Sequence, residues 1–120
     1  MNNWRLGAVE ARFADMIWNN APLTSGELAK MAGKVLGWKK TTAFTVLKRL
    51  CDREIFKNEG GIVTVRISRE DFYARQSEEY LQDSFGGSLP AFVAAFSSRK
   101  KLTEKEMEEL QGIIDRMRGE

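Results

Sequence analysis

Apolar residues along this chain follow two different spacings, and the switch between them divides it. Leu6, Val9, Phe13, Met16 and Ile17 recur at intervals of three and four. That spacing predicts a first helix over about residues 6–19 with one apolar face. It stops at Asn19-Asn20-Ala21-Pro22, residues that favour a turn. Thr24, with Glu27 three positions on, forms a capping box in which each side chain satisfies a backbone N–H at the helix start. Leu28, Met31, Ala32 and Val35 then continue at helical spacing to a break near Gly37. A third helix is expected from Trp38 to Arg53, after only a tight turn.

On a wheel of about 100° per residue, that third segment has Ala43, Val46, Leu47, Leu50 and Cys51 on one side. Thr41, Thr42, Thr45, Lys48, Arg49 and Asp52 gather on the other. Threonine is β-branched and only a middling helix former, and a face that merely meets solvent would favour Glu, Lys and Gln. The preceding helix joins it through a short turn, as in a helix-turn-helix. The period then changes to two. Val63, Val65 and Ile67 alternate with Thr64 and Arg66, and Asn58-Glu59-Gly60-Gly61 supplies a turn. A hairpin directly after such a helix is a wing, and helix–helix–helix–hairpin is the winged-helix order.

Helical spacing returns after the wing. Ser68 with Asp71 caps a helix reaching about Phe85, with Phe72, Tyr73, Tyr80 and Leu81 among its apolar members, and Gly86-Gly87 breaks it. Leu89, Phe92, Val93 and Phe96 mark a short helix after Ser88. Thr103 and Glu106 form a second capping box, Leu102 is placed to staple onto Met107, and Met107, Leu110, Ile113, Ile114 and Met117 form a stripe. The expected fold is mainly α with a small β-hairpin. It comprises a winged helix-turn-helix DNA-binding domain over residues 1–67 and a helical dimerisation domain over residues 68–120. The last three helices are too short to bury so much apolar surface alone. Packing onto a second copy accounts for them best, since DNA readers with one recognition helix per chain usually pair to read two half-sites. The alternative is packing back onto the winged helix. The residues expected at a dimer interface are Tyr80, Leu81, Phe85, Leu89, Phe92, Val93, Phe96, Met107, Leu110, Ile113, Ile114 and Met117.

Charge sharpens the picture. The net +2 conceals a split: residues 1–67 hold 11 Lys and Arg against 6 Asp and Glu, residues 68–120 hold 8 against 11. A basic half beside an acidic half suggests that only the first meets a polyanion. Composition is otherwise that of an ordinary globular chain, 42% hydrophobic and 30% charged. No apolar run approaches the roughly 18 residues of a membrane span, and the first residues lack the pattern of a signal peptide, so a cytoplasmic protein is expected. With no histidine and one cysteine, neither a Cys/His zinc site nor a Ser-His-Asp or Cys-His constellation can be built. No enzyme, metal or cofactor is expected. Cys51 lies on the apolar side of its helix and reads as a core thiol.

If the third helix enters a major groove, Thr41, Thr42 and Thr45 would offer hydroxyls to base edges or phosphates and methyls to thymine. Lys48 and Arg49 would reach phosphates or guanine, although Arg49 could instead pair with a carboxylate within the dimer. Lys39 and Lys40 would add to a phosphate-attracting end. In the wing, Lys57, Asn58 and Arg66 are backbone or minor-groove candidates. For each lysine alone a solvated surface role fits equally well. Trp18 and Trp38 read as packing residues.

Taken together, three segments resemble the penicillinase-repressor family of bacterial winged-helix repressors (the BlaI, MecI and CopY type). VEARFADMIWNN is similar to that family's first helix, with Glu10 and, eight residues on, Trp18. WKKTTAFTVLKRL is similar to its recognition helix, with Thr42 and Thr45 ahead of the Arg49–Leu50 pair. FGGSLPAFVAAF followed by LTEKEMEELQGIID is similar to its dimerisation segment. The resemblance covers nearly the whole chain in order. It implies a homodimer on a palindromic operator in double-stranded DNA, repressing genes such as a β-lactamase. It also implies a sensor protease as partner, whose signal leads to cleavage in the dimerisation segment, commonly at Asn-Phe. The matching pair here is Ala95–Phe96. The family's copper-responsive branch carries Cys-x-Cys pairs, which a single cysteine excludes. A competing function from another class is a winged-helix protein–protein adaptor without DNA specificity.

Overall fold

The computed structural model describes residues 4–119. Six helices and three short strands run in the order α1 (Ala8–Asn20), β1 (Leu23–Thr24), α2 (Ser25–Leu36), α3 (Lys40–Asp52), β2 (Phe56–Glu59), β3 (Ile62–Val65), α4 (Arg69–Phe85), α5 (Leu89–Arg99), α6 (Glu104–Gly119). The chain divides into two compact units, one ending at Glu79 and the other beginning at Tyr80. The fold is the winged helix expected from the spacing, followed by helices. No helix among the described residues is long and apolar enough to cross a membrane.

Local signals set the helix starts. The Thr24 hydroxyl accepts from the Glu27 N–H at 3.0 Å, and the Glu27 carboxylate accepts from the Thr24 N–H at 2.9 Å. Thr103 and Glu106 repeat the arrangement. The Ser68 hydroxyl accepts from the Asp71 N–H at 3.1 Å. These are the capping bonds that the spacing of these residues predicts. α1 begins two residues later than its apolar spacing suggests: Gly7 is its N-cap, and its N–H donates to Glu10 Oε1 at 3.2 Å. α3 likewise starts at Lys40, because Trp38 and Lys39 belong to the connection from α2.

The first unit buries one core. Phe13, Ile17, Leu28, Leu50, Ile55, Phe56, Val63 and Phe72 are its largest fully buried side chains. Two residues of the expected stripes stay outside: Val9 is 47% exposed and Val35 is 55% exposed. Val9 lies in the first turn of α1, and at the end of α2 it is Leu36, next to the turn, that packs against the core. The sheet has an extra strand. β1 pairs antiparallel with β3 (Leu23 opposite Val63), giving the order β1-β3-β2. Residues 23–24 thus pair with the half of β3 that adjoins the hairpin turn. Gly60 and Gly61 take φ of 59° and 85° at the hairpin tip, the pair of left-handed residues that a tight two-residue turn requires.

The start of α4 is part of this first core. Phe72 is fully buried, and Trp18 lies between the α4 aromatics and the wing, 5.7 Å from Phe72 and 5.3 Å from Phe56. The Trp18 indole N–H donates to the Ile67 carbonyl at 2.9 Å. Arg69 donates to Asp15 Oδ1 at 3.0 Å and to Asn19 Oδ1 at 2.8 Å, with its guanidinium over the Trp18 ring. Both tryptophans named from sequence are therefore packing residues: Trp38 lies 5.0 Å from Phe13.

In the second unit, Tyr80, Phe85, Phe92 and Phe96 form a chain of ring contacts. No residue of α5 or α6 is fully buried. Tyr80, Leu89, Phe96, Met107, Leu110, Ile113, Ile114 and Met117 are all exposed, Met117 to 70%. Leu81, Phe85, Phe92 and Val93 are half-buried.

Candidate nucleic-acid interface

α3 is held against the core by Ala43, Val46, Leu47 and Leu50, all buried, which fixes the face it offers to solvent. The connection from α2 is tight because Gly37 takes φ of 69° and its N–H returns to the Ala32 carbonyl. The exposed side carries Lys40, Thr41, Thr42, Phe44, Thr45, Lys48 and Arg49. Phe44 is 38% exposed at the rim of this face.

The three threonines are not equivalent. The Thr45 hydroxyl donates to the Thr41 carbonyl one turn back at 2.8 Å. Its proton is spent inside the helix, leaving acceptor lone pairs and a methyl group outward. Thr41 and Thr42 carry no such side-chain bond among the described residues, so their hydroxyls keep both donor and acceptor capacity.

The cations separate into two groups. Lys48 contacts Asp52 at 3.1 Å within α3, Lys57 contacts Glu59 at 3.1 Å, and Arg66 lies 3.9 Å from Glu54. Arg49 lies 3.5 Å from Glu10 on α1, so its carboxylate partner here belongs to its own chain, where sequence had raised one within the dimer. Lys39 and Lys40, at the start of α3, have no ion pair among the described residues. Lys40 shares a groove of about 460 Å³ with Thr24, Gly26, Glu27, Ala29 and Lys30. Lys30 is absent from the candidates drawn from sequence. Glu27, the carboxylate in that groove, is turned onto the α2 cap. The Thr24 backbone N–H, and then its hydroxyl, hold its carboxyl below the usual range.

In the wing, Lys57 lies opposite Thr64 and Asn58 opposite Val63, with Lys57, Asn58 and Arg66 exposed. Cys51 is half-buried. Burial, then the neighbouring Asp52 charge, pushes its thiol up, away from the reactive thiolate. Ala95 and Phe96 lie inside α5, where the Ala95 carbonyl accepts from the Ser98 hydroxyl at 2.7 Å.

A basic, threonine-bearing helix stands in a winged-helix frame, followed by helices with open apolar stripes. The "Penicillinase repressor" family model matches residues 6–116 of this chain. The chain belongs to the penicillinase-repressor family. Among its relatives, the penicillinase repressor of Bacillus licheniformis is 24% identical over 92% of this chain and 90% of its own length. The penicillinase repressor of Staphylococcus aureus is also 24% identical, over 84% of this chain and 83% of its own. Coverage this broad takes in the winged helix and most of the C-terminal helices, so the family resemblance is not confined to the helix-turn-helix.

Proposed function

We propose that this protein is a sequence-specific DNA-binding transcriptional repressor of the cytoplasm, acting as a homodimer on a palindromic operator. The observation that carries the reading is the outward face of α3. There, threonine hydroxyls and methyls stand beside Lys40, which has no ion pair among the described residues, on a helix whose other side is locked into the core. In this reading α3 lies in the major groove and Thr41, Thr42 and Thr45 meet base edges or phosphates. Lys39, Lys40 and Lys48 meet the backbone together with Arg49, and Lys57, Asn58 and Arg66 meet it from the wing. Lys30, across the groove from Lys40, joins the same phosphate contacts.

Dimerisation has separate support. The exposed stripe on α6 (Met107, Leu110, Ile113, Ile114, Met117) and the partly open aromatic cluster of α5 and the end of α4 suit a second copy of the same segment. The reading assigns residues 68–120 to this role, although the first turns of α4 also serve the winged-helix core. Induction by scission at Ala95–Phe96 through a sensor protease is the corresponding proposal for release.

Fluorescence anisotropy tests the function, with a labelled duplex from upstream of the protein's own gene beside a scrambled duplex. A dimer neutralising about six to ten phosphates should lose roughly 10³–10⁵-fold in affinity between 50 and 200 mM salt. Tight, salt-sensitive preference for the native duplex is the expected result. Equal weak binding to both counts against the reading and in favour of a protein-binding winged helix.

A further inference from the structure

We propose that Glu10 is a positioning residue for DNA recognition, holding the Arg49 guanidinium from α1 and so setting how the C-terminal half of α3 meets the duplex. The inference rests on the DNA-binding reading above. Glu10 uses both carboxylate oxygens: Oε1 accepts the Gly7 N–H at 3.2 Å, and Oε2 lies 3.5 Å from Arg49 Nη1. The first contact ties the carboxylate to the start of α1; the second extends that tie to α3. The Lys48–Asp52 contact, by contrast, begins and ends on α3 and orients nothing against the rest of the fold.

Exposure differs across the pair in an informative way. The Glu10 side chain is 25% exposed and that of Arg49 is 58% exposed. Glu10 is thus the sheltered anchor, while more than half of the Arg49 side chain stays exposed. A guanidinium is a rigid planar fork, so holding one nitrogen restricts where the other donors point. Rotamer freedom given up before binding need not be lost during binding, which favours a complex requiring one orientation. Non-specific DNA requires none, because there affinity follows charge alone. The Glu10 charge beside Arg49 also opposes an approaching phosphate. Glu10 should therefore help operator binding and hinder indiscriminate binding.

Glu10→Gln is the test, made in the full-length chain. Its amide oxygen still accepts the Gly7 N–H, while the charge that holds Arg49 is gone. Anisotropy is measured on the duplex that the wild-type protein enriches from a randomised pool and on a scrambled duplex. Operator affinity should fall by up to about fivefold per protomer, or up to about 25-fold for a dimer, the range of a partly exposed ion pair. Affinity for the scrambled duplex should stay level or rise. In an Arg49→Ala background, Glu10→Gln should cause no further loss. If Glu10→Gln does not fold, Arg49→Lys, which keeps the charge and loses the fork, should weaken operator binding alone.

Proportional loss on both duplexes would reduce Glu10 to a stability role and overturn the proposal. So would an unchanged operator affinity, or an undiminished Glu10→Gln effect in the Arg49→Ala background. A wild-type protein that enriches no sequence would overturn the DNA-binding reading itself, an outcome separable from the failure of Glu10 alone.

Discussion

Lys40→Ala isolates the electrostatic part of the account. Lys40 is the first residue of α3; it is exposed and has no ion pair among the described residues. Alanine is a better helix former, so the substitution should leave stability within about 0.5 kcal/mol, as surface changes usually do. Each phosphate contact contributes about 0.9 to the slope of log affinity against log salt on B-DNA. One Lys40 per protomer means that a dimer loses two contacts, lowering the slope by about 1.8. Between 50 and 200 mM salt, the variant's fold-loss in affinity should therefore be about 12 times smaller than the wild type's. Anisotropy titrations at four or five salt concentrations measure the slope, with thermal unfolding as the control for folding. An unchanged slope in a folded variant would mean that Lys40 touches no phosphate. The start of α3 would then not lie against the DNA backbone, and the docking would be wrong.

Other expectations use different parts of the molecule. Phe72→Ala, at a fully buried site, should destabilise the winged-helix unit by about 3–5 kcal/mol in urea unfolding; a loss under 1 kcal/mol would contradict its place in the core. Ile113→Glu puts a charge on the exposed α6 stripe and should shift sedimentation from dimer to monomer while leaving monomer helicity intact. A variant that sediments like wild type would remove that stripe from the interface. Glu27 and Glu106 have folded carboxyl pKa values below the ordinary one of 4.5, so their stabilising effect is complete above about pH 4.5 and declines as pH falls through the depressed folded values. Glu27→Gln should accordingly flatten the acid limb of a circular-dichroism titration below about pH 4.5, and an identical limb would rule out its cap as a contributor.

What could be read from sequence depended on how local its cause was. Capping boxes at Thr24–Glu27 and Thr103–Glu106 need only residues three apart, and both are present. The buried stripe of α3 and the glycine turn of the wing were legible for the same reason. β1 was not, because two residues show no alternation and owe their strand conformation to β3, far away in sequence. The exposure of Val9 and Val35 depends on where neighbouring elements end, which helical spacing does not encode. At the candidate interface, sequence supplied the cations and threonines, but not which cations were already paired. The Arg49–Glu10 contact and the Lys30–Lys40 groove join different elements, and no motif spacing announces them.

Selection from a randomised duplex pool by the full-length protein, with sequencing of what is enriched, tests the central claim most directly. A homodimer presenting two copies of α3 should enrich an inverted repeat, its half-sites one helical turn apart or a multiple of it, about 10–10.5 base pairs per turn. A pool that stays random after selection, or a single unpaired half-site, would contradict a dimeric, sequence-reading repressor.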